Sequence, residues 1–206
     1  MSENERAAAQ RRRQFHRELR ARHPKFLEAL IGDARHVSRN RGRPLRGATR
    51  RRILAEAVRL CWVSDSFGAQ VMYRARARLQ ALGVPVLPRI LHRLAIIHSQ
   101  VCIGDPVVIQ PGLHILHGQV VIDGITEIGP GATIGPLTSI GLTAGVLFGP
   151  QIGRDVTIGS GARLLGNVTI GDEARVGANA VVVGGSVEAR TTVTGVPAKP
   201  TGPPRP

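Results

Sequence analysis

The side chain in this sequence best suited to proton chemistry is His117, in the stretch HILHGQVVID. It is the last of seven histidines. An imidazole, with an ordinary pKa of about 6.5, can accept a proton from a hydroxyl at neutral pH, so it can turn a weakly acidic alcohol into a nucleophile. Such a base works best when a carboxylate holds its other ring nitrogen. Asp105 and Asp123 are the acidic residues close to it in sequence; either could orient His117, and Asp105 is the preferred one.

The elements that must position His117 are visible as a repeat. Stepping by six from Ile122 gives Ile128, Ile134, Ile140, Val146, Ile152, Ile158, Leu164, Ile170, Val176 and Val182, all aliphatic. Glycine follows in seven cases: Gly129, Gly135, Gly141, Gly153, Gly159, Gly171 and Gly177. Two residues before the aliphatics, from Ile134 on, stand Ala132, Thr138, Ala144, Pro150, Val156, Ala162, Val168, Ala174 and Ala180, nearly all small. On a helix a step of six rotates the side chain by about 240° and scatters the pattern. On a strand, six is a multiple of the two-residue period, so the large residue and the small one two before it face the same side. Short strands stacked coil on coil therefore give a parallel β-helix with an aliphatic interior. The glycine is expected to let the backbone turn. Upstream, Ile103, Ile109 and Ile115 keep the same step, but Ile122 comes seven residues after Ile115. An extra residue re-aims its neighbours, and His117 lies inside this slip.

Before the repeat the composition differs. The chain of 206 residues carries a formal net charge of +14, but residues 1–52 hold sixteen Lys and Arg against five Asp and Glu. The charge thus belongs to an N-terminal arm. Basic arms bind nucleic acid or acidic partners; this one lacks the interleaved aromatics that stack on bases, which favours a solvated extension. The sequence divides into an arginine-rich, partly disordered arm at 1–50, a helical block at 51–98, a β-helix at 99–187 and a tail at 188–206. No chemistry is expected from the arm, although stretches such as Arg11–Leu30 have helical character. Cys61 and Cys102 form no metal or redox spacing, and no run of apolar residues approaches a membrane span, so the expected setting is cytoplasmic.

The repeat, the helical block and two local stretches resemble the left-handed β-helix (hexapeptide-repeat) acyltransferases, and within them the serine O-acetyltransferase family. The stretches are IGSGARLLGNVTIGDEARVGANAVVV at 158–183 and GVPAK at 195–199; the resemblance covers residues 55–200. It implies three hexads per coil, a homotrimer or dimer of trimers, sites between subunits, acetyl-CoA as acyl donor with no metal, and a place in cysteine biosynthesis. It implies that His117, in a similar His-Gly context, is the general base for direct transfer to a small hydroxyl acceptor such as serine or a related hydroxy amino acid. The donor would lie on backbone groups at Gly161, Ala162, Ala178 and Asn179, with Lys199 as the basic residue near the terminal motif. Glycine-rich turns would stabilise the oxyanion.

Three departures stand out. Cys102 occupies the position of the family's orienting aspartate, and Leu116 that of the aspartate before the histidine. Where relatives carry a loop ending Asp-Arg-His-Pro that helps hold the amino acid, this chain has GLTAGVLFGPQIG, in unbroken six-residue phase. These departures favour an alternative acceptor, a sugar, polysaccharide or specialised-metabolite hydroxyl; a further alternative is a non-catalytic trimeric scaffold with a basic arm. His98, His114 and His117 could be combined into a zinc site like that of the carbonic anhydrases on this repeat, but no carboxylate set accompanies them. His114 is expected to point outward.

Overall fold

The computed structural model describes residues 14–15 and 17–202. Residues 1–13, 16 and 203–206, which belong to the expected arm and tail, lie outside the described residues. After a helical stretch at 17–21, the helices α1 (Phe26–Asn40), α2 (Arg50–Val63), α3 (Phe67–Ala81) and α4 (Leu87–Ser99) lead into five stacked coils. No helix among the described residues is long and apolar enough to cross a membrane.

Each coil has three short strands. The first holds β1 (Val101–Ile103), β2 (Val108–Ile109) and β3 (His114–Ile115); the second β4 (Val120–Ile122), β5 (Ile125–Ile128) and β6 (Thr133–Ile134). The third holds β7 (Ser139–Gly141), β8 (Phe148–Ile152) and β9 (Thr157–Ile158); the fourth β10 (Arg163–Leu165), β11 (Thr169–Ile170) and β12 (Arg175–Val176). The fifth holds β13 (Val181–Val183), β14 (Ser186–Val187) and β15 (Thr192–Thr194), on which β16 (Lys199–Pro200) folds back antiparallel. Equivalent strands pair in parallel to give the three faces of a hexapeptide-repeat β-solenoid. The register stacks like on like: Ile103, Ile122, Ile140, Leu164 and Val182 align on one face, and Ile115, Ile134, Ile158, Val176 and Val193 on another, all buried. The small residues two before them, such as Ala132, Ala162 and Ala174, are buried too.

Two expectations change. Val146 is not an interior residue. Ile122 pairs with Ile140, eighteen residues on, but Ile140 pairs with Leu164, twenty-four on. The third coil therefore carries six extra residues, which leave the solenoid as a loop at 142–147, where Val146 is 38% exposed and Ala144 is also exposed. An insertion of one whole hexad preserves the phase, so counting by sixes passes through it unnoticed. The glycines after the aliphatics also have a different reason from the one expected. Gly135 and Gly159 do not have positive φ. They are needed because a Cβ on Gly135 would meet Ser160 N at 2.5 Å and one on Gly159 would meet Ala178 N at 2.6 Å, both in the next coil. Left-handed backbone falls instead three residues after the aliphatic, at Gly131, Leu137, Asp155, Gly161, Glu173 and Asn179.

A solenoid ends in a row of unpaired strand groups, which must be covered. Here α3 lies across the first coil and satisfies all three of its strands. Ser66, just before α3, donates to Ile115 O; Gln70 donates to Leu113 O at 3.1 Å and accepts from Ile115 N at 2.8 Å. Tyr73 donates to Val107 O at 3.0 Å, Arg74 donates to Ile109 O and Gln110 O, and Arg76 donates to Ile103 O and Gly104 O. Residues 66, 70, 73 and 74 share one helical face. Buried Arg74 is paired at 2.9 Å with Asp33 of α1, which is itself buried. Phe26–Asn40 is therefore part of the folded body, which corrects the boundary drawn for a solvated arm: Ala29, Ala34 and Val37 are buried, and α1 packs on α2 and α3.

Candidate active site

The solenoid has three edges where the chain turns from one face to the next. His117 lies on the edge that joins the third strand of a coil to the first strand of the following one. The seven-residue step from Ile115 to Ile122 becomes here the turn between β3 and β4, with Gln119 at φ 62°. Gly118 in this turn lies against Ser99 O, where a Cβ would not fit, and Gln119 N donates to the same carbonyl at 3.2 Å.

The carboxylate on His117 is Asp65, from the link between α2 and α3: Asp65 Oδ2 stands 2.8 Å from His117 Nδ1. Asp65 is held from both sides. Ser66 is tied to Ile115 O, and Ser99 Oγ donates to Asp65 O. The end of α3 that caps the solenoid thus also places the acid. With Nδ1–H donated to Asp65, Nε2 carries the lone pair that can accept a proton. Both side chains are open to solvent, 66% and 74% exposed.

Asp105 and Asp123 sit on a different edge, between the first and second strands of their coils. A Cβ on Gly104 would collide with the Asp123 carboxylate, so the two residues stack one coil apart there. Asp105 lies 3.7 Å from Arg76, and Asp123 Oδ1 accepts from Gly124 N at 2.8 Å. Neither is bonded to His117. The 142–147 loop leaves from this same second edge, where Ile125 N donates to Leu147 O at 3.1 Å. Its Leu142, Val146 and Leu147 and the adjoining Phe148 are exposed.

The other expected residues share the edge of His117. Gly161 and Asn179 are stacked on it: Gly161 N donates to Pro136 O at 2.8 Å and Asn179 N to Ser160 O at 2.9 Å. Ala162 is buried and Ala178 is exposed. Ala198 N donates to Val181 O at 2.8 Å, which brings the tail, with exposed Lys199, over the end of the same edge.

Sequence reasoning missed Asp65, whose fifty-two-residue separation from His117 carries no spacing signal, and the part played by α1. Asn40 Nδ2 donates to His114 Nδ1 at 2.9 Å, and Arg41 Nη2 donates to Val63 O at 3.3 Å, two residues before Asp65. His114 does leave the solenoid face, but under α1 rather than into solvent. Burial, then the neighbouring His36, Arg41 and His117, lower its pKa to about 4, so it is neutral at pH 7. His98 lies exposed on α4, its Nε2 facing Gly68.

Residues 149–184 match the family described as bacterial transferase hexapeptide (six repeats). No curated protein matches by sequence. Among solved structures, the Neisseria gonorrhoeae serine acetyltransferase in complex with serine superposes with a TM-score of 0.70 at 25% identity, over 91% of this chain and 73% of that one. The soybean serine acetyltransferase apoenzyme gives 0.70 at 28%, over 86% and 69%. A serine acetyltransferase in complex with CoA shares the fold, with a TM-score of 0.71 at 24% identity over 92% and 75%. The chain is a hexapeptide-repeat β-solenoid protein whose fold is similar to that of the serine acetyltransferases.

Proposed function

We propose that this protein is an acyltransferase that moves an acetyl group from acetyl-CoA to a small hydroxyl acceptor. The observation that carries this reading is the single edge that joins His117, paired with Asp65, to Gly161–Ala162 and Ala178–Asn179. Coils rise by about 4.8 Å each, so these positions lie about 10 and 14 Å along the edge from His117. That is the scale of an extended pantetheine chain, with its thioester near the base and the rest of the donor on later coils beside Lys199.

In the reaction, His117 Nε2 takes the acceptor's proton as the hydroxyl oxygen attacks the thioester carbonyl, and Asp65 stabilises the imidazolium that forms. His117 then returns the proton to the departing thiolate. Backbone N–H groups along the edge would hold the oxyanion. The serine and CoA complexes of the similar structures support a small hydroxyl acceptor and this donor. Serine or a related hydroxy amino acid is the leading acceptor. The exposed, uncharged 142–147 loop favours a second reading, a sugar or specialised-metabolite hydroxyl.

A thiol-release assay with acetyl-CoA across hydroxy amino acids and sugars tests the proposal. His117→Ala should lower turnover by roughly 10²–10⁴. Asp65→Asn, which removes the charge that stabilises the imidazolium, should lower it less than His117→Ala but well beyond Asp105→Asn or Asp123→Asn. Normal turnover in folded His117→Ala protein would remove the assignment.

A further inference from the structure

One cavity lies away from the His117 edge. It has a volume of about 630 Å³ and opens between the α3–α4 turn and the first coil. Ligand pockets usually run from about 300 to 1,000 Å³ and combine apolar walls with a few convergent polar groups. Val84 and Val86 of the turn supply apolar wall, while Gln80, Arg89, His92 and Asp105 face the same space from α3, α4 and the coil.

The polar groups have defined roles. Arg76 is buried, held by Ile103 O and Gly104 O, and its Nη1 donates to His92 Nδ1 at 2.7 Å. A guanidinium cannot accept, so the His92 proton sits on Nε2, a donor. Burial and then Arg76 lower the His92 pKa, which keeps this ring neutral at pH 7. Arg89 is one helical turn earlier on the same face and is exposed, and its guanidinium has no hydrogen-bond or ion-pair partner among the described residues. Asp105, exposed and 3.7 Å from Arg76, makes no closer contact and keeps acceptor capacity. A cation, a fixed N–H donor and a carboxylate thus line one cavity together with the apolar side chains of Val84 and Val86.

We propose that this cavity binds an apolar α-amino acid, with its carboxylate on Arg89 and His92, its ammonium on Asp105 and its side chain against Val84 and Val86. Such a site is independent of the acetyl-transfer reading. It also gives Asp105 a role that its position on the second edge allows.

Calorimetric titration of the full chain with leucine tests it, with 4-methylpentanoate (leucine without the amine) and isoamylamine (leucine without the carboxylate) as controls. Leucine should bind saturably, and either control should bind roughly tenfold or more weakly, since each forfeits a charged hydrogen-bonded end. Arg89→Gln and Asp105→Asn should each weaken leucine to a similar degree, while His117→Ala leaves it unchanged. Circular dichroism melts of the variants confirm that they fold. The proposal is overturned by an absence of leucine binding, by controls that bind as well as leucine, or by leucine binding that is lost in His117→Ala but kept in Arg89→Gln and Asp105→Asn.

Discussion

Replacing Asp33 with alanine should loosen the whole molecule, although Asp33 lies in the segment that composition assigns to a solvated arm. Asp33 is 1% exposed and its two oxygens accept four hydrogen bonds: from Arg74 Nε at 2.9 Å, Arg74 Nη2 at 3.1 Å, Gly112 N at 2.8 Å and Leu113 N at 2.8 Å. Removing it leaves a buried guanidinium without its counter-charge and two coil N–H groups without acceptors. Breaking a buried ion pair costs about 3–5 kcal/mol, and each orphaned N–H adds to that. Against a typical folding stability of about 5–15 kcal/mol, the loss is a third or more of the total. Urea unfolding followed by circular dichroism should show a large fall in midpoint for Asp33→Ala, and a comparable fall for Arg74→Met. The double variant should stay well below wild type, because each partner also satisfies backbone of the first coil. A deletion that starts at Arg50 should be as damaging as Asp33→Ala. An Asp33→Ala midpoint within about 0.5 kcal/mol of wild type, the range of an ordinary surface change, would refute the reasoning.

The remaining predictions concern the buried histidine and the repeat register. His114 has a folded pKa of about 4, against about 6.5 when unfolded, so between those values the unfolded chain binds more protons. Its contribution is present in full above pH 6.5 and is lost as pH falls towards 4, by up to about 3 kcal/mol; His114→Asn should flatten the acid limb of stability measured by urea midpoints at pH 7 and 4.5. Val146→Asp should change the melting temperature little, whereas Ile158→Asp, at an equivalent place in the six-residue count but fully buried, should cost several kcal/mol. Equal effects of these two would mean that the loop is part of the core. Gly135→Ala should cost about 1–3 kcal/mol through collision with Ser160, a penalty seen as a lower urea midpoint.

The solenoid was legible because its cause is local and periodic: a buried aliphatic every sixth residue with a small residue two before it writes itself directly into the sequence. Val146 shows the limit of that signal. Exposed and buried aliphatics look alike in a string, and an inserted hexad keeps the count, so only pairing Ile140 with Leu164 reveals the loop. That His117 stands in a turn was legible from the slip. Its partner was not, because closeness in sequence is misleading in a prism. Asp105 and Asp123 are near His117 in number, yet stand on another edge, while Asp65 is brought in by a helix that packs across the coil. The burial of α1 within the expected arm was not legible for a related reason: Asp33 is held by Arg74 of α3, a partner forty-one residues away that composition does not show.

Capping and acid placement are joined in one element. Ser66 and Gln70 satisfy Ile115 at the head of α3, and Asp65 precedes them by one and five residues, so the contacts that close the solenoid also set the carboxylate on His117. Farther along the same helix, Arg74 and Asp33 lock it in register with the coil. The first turn of α3 bears on β3 through few, short-range bonds, whereas the solenoid interior runs through five coils. Loss of the Asp33–Arg74 pair should therefore displace the cap before the coils separate. Asp33→Asn, a milder change than alanine, is then expected to lose turnover at urea concentrations where the β-sheet circular dichroism is still intact, and a coincident loss of both signals would show that cap and solenoid unfold as one unit.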